Sequence, residues 1–346
     1  MNKRLGDFDF YYKDEDNDAF TNFFNYYFIE RIISCHELQN IVVLENNSLL
    51  CRFCNKGYPH VAFNNIAHLA PQILGNKYLI SKFECDNCNE RFGKYDNELH
   101  NFLNVSRVFN YFNTGKNVTY HSNQKKLIAK TQTSITETPH VLFYTNDFSN
   151  QVIDLDEKTG EGKFEFETGA YRPLSVYKSF LKIGLSLISY EDCKYYKKAF
   201  SFLTTRKLDN DYKELFQIME HQYDYGISQN NLTLILHKKK NTKDNIPTHM
   251  IEIRYCNHIF QLFLPYNSLD ETFYHKEVHL NFRPPVFQSN EDLNSIKVRS
   301  QNIDLSATEK RKDQKQLLIK LSPEDLKKSS YTKLEDTGVD AKQIFT

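Results

Sequence analysis

The sequence predicts an α+β fold, in which a small cysteine-stapled module is followed by a larger mixed α+β region. Three features point there. Cys51/Cys54 and Cys85/Cys88 form two CxxC pairs that bracket a thirty-residue insert. Around them the apolar pattern reads strand, loop, strand, helix. From Lys125 onward, short β-prone pieces separated by Asp, Asn and Gly clusters give way to helical stripes and then to more β-prone pieces.

Bulk numbers bound the answer without deciding it. At 346 residues and 41.0 kDa the chain is long enough for two cores. A hydrophobic share of 40% and a charged share of 25% are ordinary for a folded protein. Lys+Arg and Asp+Glu both number 44, so no global field attracts a polyanion, and any nucleic-acid site must be a local patch. Seven cysteines, an odd count, and no leader-like N-terminal pattern favour a reducing cytoplasm, where CxxC thiols stay available to a metal. No apolar run reaches the length of a membrane span, Lys178 and Lys182 breaking one of the longest, so no membrane partner is expected.

Taken in order, Phe20, Phe23, Phe24, Tyr27, Phe28 and Ile32 recur near helical spacing and predict one amphipathic helix over residues 19–34, with a core-facing aromatic stripe. Residues 41–45 read as a short strand. Residues 58–69 suggest a strand or hairpin, 70–77 a loop around Pro71 and Gly75, and 78–84 a second strand. Phe92, Tyr95, Leu99, Phe102 and Phe109 predict a helix over 90–112, with Gly115 as its stop. Strands follow over 127–131, 141–145, 151–155 and 163–168. Pro173 opens a helix over 173–190, striped by Val176, Phe180, Ile183 and Leu187, and 211–223 reads as another helix. Segments 232–237, 249–256 and 259–264 suggest an antiparallel meander whose first link is lysine-rich. A solvated helix over 309–316 and a loose tail of about twenty residues complete the pattern. The division expected is a lead-in over 1–47, the cysteine module over 48–116, an α+β domain over 117–290 and a charged tail over 291–346.

Each CxxC puts two thiolates one knuckle turn apart, and two such pairs complete the tetrahedral four-cysteine set that Zn²⁺ prefers. Cys51, Cys54, Cys85 and Cys88 are therefore the expected zinc ligands; four unrelated buried thiols are the plainer alternative. Cys35, Cys193 and Cys256 read as structural.

Taken together, Cys51-Arg52-Phe53-Cys54, Ala67-His68-Leu69-Ala70-Pro71, Leu74-Gly75-Asn76-Lys77 and Glu84-Cys85-Asp86-Asn87-Cys88-Asn89 resemble the HNH endonucleases of ββα-metal architecture, in particular members with a CxxC/CxxC zinc staple. The likeness covers a minor part of the chain and is specific in combination. It implies a metal-dependent endonuclease that hydrolyses phosphodiester bonds in nucleic acid, with DNA the expected partner, and a role in bacterial defence. It further implies that His68 is the general base, that Asn76 in the inter-strand loop orients it, and that Asn89 helps hold a catalytic divalent cation. An amide oxygen suits Mg²⁺ or Mn²⁺.

Each assignment has a structural alternative. His68 could be a hydrogen-bonded histidine beside the zinc, Gly75-Asn76 a routine turn, and Asn89 an N-cap. The sequence also departs from the family pattern. Many relatives carry an acidic ligand just before the histidine, where this chain has Ala67, leaving Asp86, Glu90 or Asp96 as substitutes, or else a module that binds without cutting. Between Cys51 and Lys116, eight Lys or Arg face five Asp or Glu, a modest surplus for phosphate contact. His60 and His100 read as surface or packing residues. Lys238-Lys239-Lys240 reads as a solvated loop tip or a backbone grip. The remainder carries neither a phosphate-binding GxxxxGK[ST] loop nor a GxSxG elbow.

Overall fold

The computed structural model describes residues 2–5, 8–35, 42–44, 50–104, 106–109, 119–121, 127–132, 140–145, 153–156, 158–205, 215–224, 232–270, 282–287 and 296–320. A hairpin of β1 (Asn2–Leu5) and β2 (Phe8–Tyr11) precedes α1 (Asn17–Tyr26), which buries Phe20, Phe23 and Phe24. The helix expected over 19–34 stops at Tyr27, whose backbone is extended at φ −116° and ψ 153°. Tyr27–Ser34 form strand β3 instead. The segment is rich in aromatic and β-branched residues, and a sheet edge is available to it, so pairing overrides the helical spacing.

The cysteine module supplies β4 (Val42–Leu44), β5 (Ala67–His68), β6 (Leu79–Ser81) and α2 (Asp86–Leu103). Strand, loop, strand and helix appear in the expected order, but the strand or hairpin expected over 58–69 is reduced to Ala67–His68, with turns and bends before it; β4 adds a third strand parallel to β6, giving the order β4-β6-β5. Helix α2 starts four residues before the expected position. It ends at Asn104, where φ is 42° and Nδ2 donates to Glu167 O at 2.8 Å. Asn is among the non-glycine residues that adopt a positive φ most readily. The short α3 (Ser106–Phe109) follows, and the rest of the helix expected over 90–112 lies outside the described residues.

Strands β7 (Thr119–His121), β8 (Leu127–Gln132) and β9 (His140–Thr145) form one antiparallel sheet. Next come β10 (Ile153–Leu155), β11 (Glu161–Glu167), α4 (Pro173–Leu187) and α5 (Lys197–Thr204). After them β12 (Gln217–Tyr223), β13 (Thr233–Lys239), β14 (His249–Tyr255), β15 (His258–Phe263), β16 (Val298–Asp304) and β17 (Gln314–Lys320) complete the strands. The six-stranded sheet runs β16-β12-β15-β14-β13-β3, with β13, β14 and β15 as the expected meander. Two further expectations fail. Residues 217–223 are strand rather than helix, because β12 is flanked on both sides by β15 and β16. No helix forms over 309–316. Gln314–Lys320 pair with β11, and Lys312 meets Glu167 at 2.8 Å, so a non-local partner decides the state of a polar segment. The expected terminal tail lies outside the described residues.

Helix α4 occupies the centre. Every residue in it except Ser175 is buried. Tyr177, Phe180 and Gly184 fall on one face. Phe180 lies 5.0 Å from the Phe260 ring, and a Cβ added at Gly184 would come within 2.5 Å of Leu264 Cδ2 and 3.2 Å of Ile251 Cγ2, so the helix sits tightly on the large sheet. Ser179, Lys182 and Ser186 fall on the opposite face at helical spacing, toward the cysteine module. One hydrophobic cluster joins Phe53, Leu74 and Phe92 of that module to Phe180 and Phe260. The fold is thus α+β, and among the described residues no helix is long and apolar enough to cross a membrane.

Candidate functional site

The four module cysteines converge. Their sulfurs all lie within 4.8 Å of one another, and Cys54 Sγ is 3.7 Å from Cys85 Sγ. A tetrahedron with Zn–S bonds of about 2.3 Å has an edge of about 3.8 Å, so the quartet already has the dimensions of a zinc site. Local backbone explains this. Asn55, at φ 56°, turns the first knuckle so that its N–H donates to Cys51 O at 2.8 Å, while the Cys51 N–H donates to Lys56 O at 2.8 Å. The Cys85 N–H then donates to Cys51 Sγ at 3.4 Å. Cys85 is the N-cap of α2 and Cys88 its third residue, so both thiolates lie at the positive end of the helix dipole.

Without a cation the quartet cannot carry its full charge. A hydrogen bond from Cys88 pulls the Cys51 thiol down to about 5, and the same bond pushes Cys88 upward. Burial raises Cys85 to about 11. A divalent ion resolves this conflict by replacing the protons. The donor set and spacing therefore fit zinc.

His68 closes strand β5, half-buried, opposite Ile80 of β6. Its Nε2 lies 2.8 Å from the Gln72 amide, and its buried Nδ1 has no hydrogen-bond partner among the described residues. Burial, aided by the nearby Lys182 ammonium, lowers its pKa below the ordinary 6.5. Asn76 is fully buried in the inter-strand loop. Its Nδ2 donates to Ala70 O at 2.8 Å and Leu79 O at 2.9 Å, and its Oδ1 accepts from the Leu79 N–H at 2.9 Å. The loop that carries the chain from β5 to β6 is thereby pinned at both ends. The Asn76 amide thus faces backbone groups, and the His68 ring faces Gln72.

Asn89 is not an N-cap. The helix starts at Asp86, so Asn89 lies in its first turn, half-buried, with its N–H donating to Cys85 O at 2.9 Å. The capping alternative thus drops out. The substitutes for the missing acid are engaged elsewhere. Asp86 accepts the Asn64 and Asn65 N–H groups at 3.2 and 2.9 Å, Glu90 pairs with Lys94 at 3.3 Å, and Asp96 accepts Ser179 Oγ at 2.8 Å. Burial also raises the Asp96 pKa. Ala67 itself is buried opposite Ser81.

Residues 51–103 match the HNH endonuclease family. No curated protein and no solved structure matches the chain. The HNH segment coincides with the cysteine quartet, the β5–β6 pair and α2.

Several residues that support the HNH segment escaped the sequence reading. Arg52 Nη1 donates to Ser186 O at 2.9 Å and Ile188 O at 3.2 Å, engaging carbonyls at the C-terminal end of α4, and its guanidinium stacks 4.0 Å over Phe83. Lys182 reaches back from α4 to Glu84. Its burial could have been suspected, since a lysine inside an apolar helical stripe must find a partner. The lysine run has another role than either one expected. Lys239 Nζ meets buried Asp270 at 2.8 Å, Lys240 Nζ donates to Phe24 O at 2.6 Å, and Lys238 Nζ meets Asp192 at 2.6 Å. These contacts join elements within the chain. A second cluster of possible metal ligands, Glu30, Asp192 and His249, lies within 4.8 Å, but Lys238 already supplies its positive charge, 3.5 Å from Glu30 and 2.6 Å from Asp192.

Proposed function

We propose that the protein is a metal-dependent nuclease of the HNH kind that hydrolyses phosphodiester bonds in DNA within a reducing compartment. The observation that carries this reading is the cysteine quartet at the start of α2 beside a strand histidine, inside a segment that matches the HNH endonuclease family. In it the zinc is structural. His68 acts as general base, for which its lowered pKa is suited, because the imidazole is neutral at pH 7 and can take a proton from water. The Gln72 Nε2 amide group, 2.8 Å away, donates to His68 Nε2, which marks Nε2 as the nitrogen with the lone pair and Nδ1 as the one that carries the proton. Asn76 acts on the loop rather than on substrate. Asn89 offers an amide oxygen to Mg²⁺ or Mn²⁺; that ion, when bound, supplies Lewis-acid stabilisation of the phosphate and the leaving oxygen.

The test is nicking of supercoiled plasmid with Mg²⁺ or Mn²⁺. His68→Ala is expected to lower the rate by about 10² or more while zinc content and DNA retention persist. Equal cutting by His68→Ala would sink the assignment. A second reading, a zinc-stapled module that binds without cutting, is favoured by Ala67 and by the prior engagement of Asp86, Glu90 and Asp96. Gel retardation without nicking under every metal would select it. Labelled RNA offered alongside DNA separates the two substrates.

A further inference from the structure

The strand that carries His68 is too short to hold itself. β5 has two residues and lies at the edge of its sheet; among the described residues it has only the Ala67↔Ser81 and His68↔Ile80 pairs and one further bond, from the Leu69 N–H to Leu79 O at 3.2 Å. Isolated pairs this small are marginal. A side chain from outside the HNH segment reaches the same strand. Lys182 Nζ donates to His68 O at 2.6 Å and to Leu69 O at 3.2 Å, and it meets Glu84 Oε2 at 3.0 Å. An ammonium has three N–H donors, and these three contacts account for all of them. The Lys182 and Glu84 side chains are only 5% and 0% exposed, so the pair is screened little by solvent. Glu84 directly precedes the zinc ligand Cys85 and also accepts Ser81 Oγ at 3.2 Å, one residue beyond the partner of His68.

We propose that Lys182 is a positioning residue for the nuclease reaction: its ammonium is a tripod that fixes the His68 strand against the start of the zinc-bearing helix. The inference rests on reading His68 as the base. A flexible chain carrying one cation on four methylenes suits the task, because its three donors spread tetrahedrally over two carbonyls and a carboxylate, whereas a planar guanidinium could not reproduce that fan. The consequence is that the catalytic geometry of residues 51–103 is completed by a helix outside them. Misplacing a base by about 1 Å can cost about 10²-fold in rate, which sets the scale of the effect.

Replacing Lys182 alone would leave Glu84 buried without its partner, so the experiment uses Glu84→Gln as reference and Glu84→Gln with Lys182→Met as the test, both as the full zinc-loaded chain. The double variant is expected to cut plasmid with kcat about 10- to 100-fold below the reference, KM within about threefold, and one zinc per chain in both. Equal kcat values would overturn the proposal, as would a loss that tracks zinc release or unfolding. Amide exchange gives a reading that does not depend on cutting. The Leu69 amide should exchange faster in the double variant while the Cys85 and Asn89 amides keep their protection, and equal protection at Leu69 would also overturn it. If the native chain nicks no nucleic acid under any metal, the nuclease reading fails, and amide exchange still decides whether Lys182 holds the strand.

Discussion

Replacing Asn76 isolates the contribution of one buried amide to the shape of the site. Its side chain is fully buried and makes three hydrogen bonds, all to backbone: Ala70 O, Leu79 O and the Leu79 N–H, at 2.8 to 2.9 Å. Leu79 O keeps a second bond, from the Leu69 N–H, so Asn76→Ala strips the described partner from two buried groups, Ala70 O and the Leu79 N–H. At about 1 to 3 kcal/mol for each unsatisfied group, the expected loss is about 2 to 6 kcal/mol, a large share of the stability of an ordinary domain. Asn76→Asp keeps the shape but turns both donors into acceptors. It sets a carboxylate oxygen against two carbonyls and should cost at least as much as Asn76→Ala. Urea unfolding of the zinc-loaded protein measures both, and exchange of the Leu79 amide localises the change. The reasoning is refuted if Asn76→Asp unfolds within about 0.5 kcal/mol of the native chain, the range of an ordinary surface substitution.

Metal analysis should find one zinc per chain, and removing it with a chelator, or replacing Cys88 by Ser, should lower the melting temperature. An unchanged melt in a zinc-free chain would leave the quartet as plain thiols. The pH profile of cutting follows from the lowered pKa of His68. The base is active when neutral, so the midpoint of the fall in rate toward acid should lie below pH 6.5. Half-maximal activity at or above pH 7 would contradict this. Lys239→Met removes one member of an ion pair whose side chains are 2% and 0% exposed, and should cost about 3 to 5 kcal/mol in urea unfolding with no change in DNA retention. Weaker retention with unchanged stability would return that lysine to the nucleic-acid surface.

What could be read in advance divides along the range of the interactions. The cysteine quartet and the strand-loop-strand-helix order follow from spacings within one short stretch, and there the sequence and the structure agree. The meander of β13, β14 and β15 is also local, each strand pairing with the next. The errors lie where a distant partner decides the state. Tyr27–Ser34 carry apolar residues that fit a helix, yet β13, about two hundred positions away, takes them as a strand. Residues 217–223 and 309–316 depart from helix for the same reason. Lys182 is the sharpest case. In the sequence it is a charge interrupting an apolar stripe, and only the fold brings its ammonium to a carbonyl 114 positions earlier.

The enclosure of α4 also bears on the order in which the molecule can be made. Synthesis runs from the N-terminus, so residues 51–103 emerge before the helix that walls them from behind. Until that helix has left the ribosome and docked, Arg52 lacks the carbonyls it engages and the histidine strand lacks its tether. A chain interrupted between α2 and α4 would contain every residue of the family match and still lack the finished geometry.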